Sequence, residues 1–189
     1  MCLLSFFVAY GVHRRAMPGW QLAQPMTLFL FALPGAIIGI GLIALWNRPG
    51  FNPIYSSPAL LIMGFVAQYA AIGTGVILAG LSQLPRALEE AAEICGAGWF
   101  QRVFRILFPL LQPSMLAAAG LTFIFCVRDL GLPLLLAPPG GDTLTARTMT
   151  LMANGSQDLI AALCVLSIVI AVIPLGTLSL AWKARSRQA

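Results

Sequence analysis

The sequence predicts an all-α, polytopic transmembrane helical bundle, and three observations carry that expectation. The mean hydropathy is +0.90. Only 9% of the 189 residues are charged and 59% are hydrophobic, whereas soluble domains carry about 25% charged residues. The apolar residues also gather in runs of about 20, the length at which a helix crosses a ~30 Å hydrocarbon core. A chain so poor in polar groups cannot cover itself with a wettable surface, so its solvent is lipid. Four full spans and one partial span fit into a single membrane domain over residues 1–189.

The first run, residues 2–10, is apolar but short. Nine helical residues rise only ~14 Å, about half of the hydrocarbon core. No basic residues precede it, and His13, Arg14 and Arg15 follow where a signal peptide would place small residues. It reads as the trailing part of a span, so the chain is expected to be N-terminally incomplete. Residues 26–46 form the first full span, kinked at Pro34. Gly35 and Gly39 form a GxxxG pair, with Gly41 close by, that lets another helix pack closely. Trp46 suits the interfacial belt. The second span covers residues 58–81 and the third 110–127, where the Ala117–Gly120 run offers another close-packing face. Residues 128–157 mix apolar, Pro/Gly and polar residues and read as an external or re-entrant segment. The last span covers residues 159–182 and contains Pro174.

Charge sets the topology. Placing the tail (Lys183, Arg185, Arg187) in the cytoplasm brings Arg14, Arg15, Arg86, Arg102 and Arg105 inside by alternation. Eight of the eleven basic residues are then cytoplasmic, with Arg48, Arg128 and Arg147 outside; the inverted topology reverses that ratio and breaks the positive-inside rule. The net charge of +5 comes from small groups between apolar runs, with no basic stripe or aromatic platform, so nucleic acid is excluded as a partner. Cys2, Cys95, Cys126 and Cys164 are scattered without CxxC spacing, and His13 has no neighbouring ligand in sequence. Neither a metal site nor a disulfide framework is indicated.

One stretch departs from this economy of charge. Six of the chain's seventeen charged residues, eleven basic and six acidic in all, are Arg86, Glu89, Glu90, Glu93, Arg102 and Arg105. Residues 85–109 read as a cytoplasmic helix–turn–helix between the second and third spans. Pro85 suits an early helical position. Leu84, Leu88, Ala91 and Cys95 form an apolar stripe at helical spacing, and Arg86 faces Glu90 at i,i+4. The Gly96-Ala97-Gly98 run ends that helix, with Gly96 able to take the left-handed conformation. In the second helix Trp99, Val103, Ile106 and Leu110 share a face, and Pro109 marks the passage into the third span. A loop that merely lies on headgroups is the plainer reading. Three glutamates, however, suit an anionic leaflet poorly, and small residues at the tip let another protein come close.

The same residues resemble a signature. Glu90-Ala91-Ala92, three residues, Gly96, nine residues, Ile106, one residue, Phe108 and Pro109 are similar to the EAA loop of ABC type I importer permeases, with phenylalanine where leucine is usual at 108. Residues 33–50 and 128–164 are similar to the later half of ferric-iron-type permeases within that group. The resemblance implies a translocation subunit, itself not an enzyme and without catalytic residues, that imports a small solute such as ferric iron by alternating access. Glu90, Ala91, Ala92 and Gly96 would seat in a groove of a cytoplasmic ABC ATPase dimer, and Ile106 and Pro109 would hold the loop to the spans. It implies two further partners besides the lipid bilayer of the bacterial inner membrane, a second permease half and a periplasmic solute-binding protein, and it places ATP as cofactor on the ATPase rather than on this chain. Arg128 and Asp129 are candidates for contact with the binding protein at the outer face, against the plainer reading of an interfacial pair. Two absences fit this division of labour. The chain has no GxxxxGK[ST] phosphate loop, and its four full spans hold no Asp, Glu, Lys, Arg or His with which to couple an ion gradient. The competing expectation is a non-transporting membrane scaffold that recruits a soluble partner through residues 85–109.

Overall fold

The computed structural model describes residues 1–14, 19–85, 87–138 and 140–186. Every regular element among them is helical. The helices are α1 (Cys2–Arg14), α2 (Trp20–Ala32), α3 (Gly35–Trp46), α4 (Asn52–Tyr55), α5 (Pro58–Ser82), α6 (Ala87–Ile94), α7 (Trp99–Gln101), a π-helical segment (Arg102–Leu107), α8 (Phe108–Leu110), α9 (Gln112–Arg128), α10 (Gly131–Leu136), α11 (Leu144–Asn154) and α12 (Gln157–Ser186).

The spine is α5. Ser57 caps it by accepting from the Ala59 N–H at 3.2 Å, Pro58 sits in the first turn where its missing N–H costs nothing, and 25 residues run on without a break. That length, ~37 Å at 1.5 Å per residue, is enough to cross a bilayer. A core lies at each of its ends. Toward the N-terminus Leu60 and Leu61 pack with Ile38, Leu132 and Leu136. Toward the C-terminus Ile77 and Leu81 pack with Phe6, Ala9 and Tyr10 of α1, with Val103, Leu107 and Leu111 of the loop, and with Ala118 of α9. The first run is thus a helix buried along one face, with Leu3, Leu4 and Phe7 exposed on the other, and it is pinned on α5 by the Ser5 hydroxyl donating to the Ala70 carbonyl at 3.4 Å.

The second span keeps the expected bounds, but the first does not. In place of one kinked helix over 26–46, α2 begins at Trp20 and ends at Ala32, and α3 sets off at 106° to it. The reason is that two consecutive residues leave the helical region, Leu33 (ψ 138°) and Pro34 (ψ 135°). A residue before proline is pushed toward extended backbone, and proline itself supplies no N–H to continue the ladder. Each half, 13 and 12 residues long, is too short to cross alone.

The glycines of α3 do work as a close-packing face, though against a short segment rather than another span. A Cβ on Gly35 would lie 3.0 Å from Gln68 Oε1 and 3.4 Å from the Leu132 backbone nitrogen. One on Gly39 would come within 2.9 Å of Leu135, whereas Gly41 faces open space. The helix received there is α10, so this part of 128–157 is folded into the bundle, with Leu132 and Leu136 buried. Ala118 and Gly120 are buried as the small-residue run of α9 suggested. The final helix, α12, is a single rod containing Pro174; it packs on α9 and α11, but none of the residues in its apolar stretch Gln157–Pro174 is fully buried.

Candidate functional site: the loop between α5 and α9

Ala, Leu and Glu are strong helix formers, and they fill α6. Glu89 and Glu90 fall in its first turn, where negative charge suits the helix dipole. Pro85 lies just ahead of the helix rather than in it, its carbonyl accepting from the Leu88 N–H at 3.2 Å. The expected Arg86–Glu90 pair involves a residue outside the described ones. At the far end the Gly96 N–H donates to the Glu93 carbonyl and the Ala97 N–H to the Ala92 carbonyl, both at 2.9 Å. With Gly96 at φ +81°, this is a Schellman ending, the left-handed stop the sequence indicated. It leaves Glu90, Ala91 and Gly96 exposed and Ala92 half-buried at an outward corner.

The returning arm departs from its expected periodicity. Residues 102–107 are π-helical, and the Phe108 N–H reaches back five residues to the Val103 carbonyl. Proline at 109 explains the wider winding: in a regular α-helix its ring would collide with the carbonyl of Arg105, four residues back. The buried side chains consequently recur every four residues, Val103, Leu107 and Leu111. Ile106 is only half-buried, and Trp99 and Leu110 are exposed. The face expected from Trp99, Val103, Ile106 and Leu110 is therefore corrected at three of its four positions. The turn into the next span also falls later than Pro109. It lies at Leu111 (φ −88°, ψ 0°), ahead of Pro113 in the first turn of α9, and the two helical stretches meet at 69°.

Sequence reasoning missed the residue that fixes this loop. Glu89 is the single buried residue of α6, and its carboxylate accepts from the guanidinium of Arg14, the last residue of α1. Helical spacing puts Glu89 across the wheel from the stripe of Leu88, Ala91 and Cys95, so the one hint in the sequence was a basic cluster, Arg14 with Arg15, assigned to the same side of the membrane. Across the glycine turn Arg102 pairs with Glu93. Tyr10 of α1 meets Trp99 edge-on (centroids 6.3 Å) and Phe6 meets Phe108 (6.0 Å), so α1 touches both arms of the loop.

Arg128 and Asp129 do not act as a pair. The Asp129 carboxylate turns inward and accepts from the N–H groups of Gly131 (3.2 Å) and Leu132 (3.3 Å), capping α10. Arg128 is exposed at the rim of an apolar cavity of about 520 Å³ walled by residues such as Thr145, Met149, Ser167 and Ile168.

A bent bundle with an exposed, glycine-cornered loop between α5 and α9 can now be set beside known proteins. The model of a family described as binding-protein-dependent transport system inner membrane component matches residues 3–188. The chain belongs to that family. Within it, the ferric transport system permease protein FbpB of Actinobacillus pleuropneumoniae is 30% identical over 124 residues, covering 65% of this chain and 18% of that protein. The sulfoquinovosyl glycerol transport system permease protein SmoG of Agrobacterium fabrum is 31% identical over 163 residues, 75% of this chain and 52% of its own length. A putative 2-aminoethylphosphonate transport system permease protein, PhnV of Salmonella typhimurium, is 26% identical over 145 residues, 75% and 53%. The match thus spans about half of two of these relatives and under a fifth of the ferric one. Membership agrees with an all-α, multi-pass membrane protein.

Proposed function

We propose that this chain is one half of the membrane permease of an ATP-driven, binding-protein-dependent importer in a bacterial inner membrane, with ferric iron the first solute to test. The observation that carries the proposal is the exposed corner of Glu90, Ala91 and Gly96, held out on a Schellman-terminated helix. Small residues there leave room for a groove on a cytoplasmic ATPase dimer, which hydrolyses the ATP. Closure of that dimer pushes the loop, and the spans rock so that the path opens alternately to each side. The half-bundle described here leaves no residue of the apolar stretch Gln157–Pro174 fully buried, which supports a second permease half completing the path. A periplasmic binding protein delivers the solute.

The test is uptake of radioactive ferric iron by cells carrying Gly96→Asp or Glu90→Lys in an otherwise normally inserted protein. Both variants are expected to abolish uptake and to lose the ATPase on co-purification. Uptake undiminished in both removes the coupling role. Loss of the partner with no iron uptake in the wild type, and none of 2-aminoethylphosphonate, turns the assignment toward a scaffold.

A further inference from the structure

The only buried side chain of α6 is a charged one. Its apolar residues Leu88 and Ile94 are exposed, Ile94 to 87%, so hydrophobic packing does little to hold this helix to its own chain. What holds it is Glu89, 4% exposed, against Arg14, whose side chain is three-quarters covered. Arg14 ends a helix whose other face is fixed on α5 through Phe6, Ala9 and Ser5.

We propose that the Arg14–Glu89 ion pair is the strut that carries movement of the loop into the bundle, Glu89 acting as a positioning residue for coupling. An apolar interface lets two helices slide past one another at small cost. A single buried ion pair instead lets them pivot but resists separation, because parting leaves a carboxylate buried without its cation. A push on the Gly96 corner therefore draws α1 along, and α1 carries α5. The second tie, Arg102–Glu93, joins the two arms of the loop to each other and has an exposed glutamate, so it stiffens the loop without anchoring it to the bundle. The aromatic contacts of Tyr10 with Trp99 and Phe6 with Phe108 reach the returning arm, whereas Arg14 reaches α6.

The transport part of this inference rests on the permease reading; the mechanical part does not, and the experiment separates them. Cys95 is exposed at the end of α6. With Cys2, Cys126 and Cys164 replaced by alanine, a nitroxide on Cys95 of the full chain in lipid nanodiscs reports how firmly α6 is held. Glu89→Gln and Arg14→Gln are each expected to sharpen the spectrum toward free motion, and the exchanged pair Arg14→Glu with Glu89→Arg to restore it. Unchanged spectra in both single variants overturn the strut. In membrane vesicles, iron moved per ATP hydrolysed is expected to fall about tenfold in each single variant, with the ATPase still co-purifying, and to recover in the exchanged pair. A fall that the exchange does not restore means a structural defect and overturns the coupling role. If Gly96→Asp leaves uptake intact while the spectra behave as expected, the permease reading fails and the strut stands.

Discussion

Gly96 offers a perturbation whose size can be worked out from the backbone. Its φ of +81° is a conformation that costs an L-residue with a side chain about 1–2 kcal/mol. No atom lies within 4 Å of where a Cβ would sit, so no collision adds to that cost. Gly96→Ala should therefore weaken the two hydrogen bonds that end α6 by the backbone term alone, raising the open population about 5- to 30-fold. Gly98 supplies the control. It also faces open space but holds φ −64°, ψ 163° at the start of α7, where serine is at least as good as glycine. Hydrogen–deuterium exchange of a peptide covering residues 90–98 reads the difference: faster exchange at Gly96→Ala, wild-type exchange or slower at Gly98→Ser, and an intermediate rate at Gly96→Asn, which tolerates left-handed backbone better than alanine. Equal exchange in Gly96→Ala and the wild type would refute the claim that this corner depends on glycine.

Leu107→Ala should destabilise the bundle by about 2–5 kcal/mol, as for a fully buried leucine, while Ile106→Ala costs markedly less; denaturant unfolding followed by tryptophan fluorescence ranks the two, and the reverse order contradicts the π-helical register. Gly35→Val forces a side chain against the Leu132 backbone and should cost about 1–3 kcal/mol, seen as a lower melting temperature in detergent, with Gly41→Val unchanged in packing because it faces open space. Asp129→Ala removes the acceptor for two N–H groups of α10 and should cost about 0.5–2 kcal/mol; Asp129→Asn retains most of the stability, and a loss of equal size in both variants shows that charge rather than capping matters.

Composition, run length and charge spacing were enough to establish a helical membrane protein, the span 58–81, the loop at 85–109 and the left-handed stop at Gly96, because each of these depends on near neighbours in the chain. A proline signals only that a helix is disturbed. That Pro34 breaks the span by 106° rather than bending it, and that the α3 glycines beyond it lie against α10, appear only in the tertiary structure. The winding at 102–107 likewise needed Pro109 to be kept inside a helix that the core draws in through Val103, Leu107 and Leu111. Asp129 read as half of an outward pair until the fold placed the start of α10 beside it. Glu89 is the plainest case. Its partner lies 75 residues away, and burial of a carboxylate is favourable only where the fold brings a cation to it, so no local pattern could distinguish it from Glu90 next door.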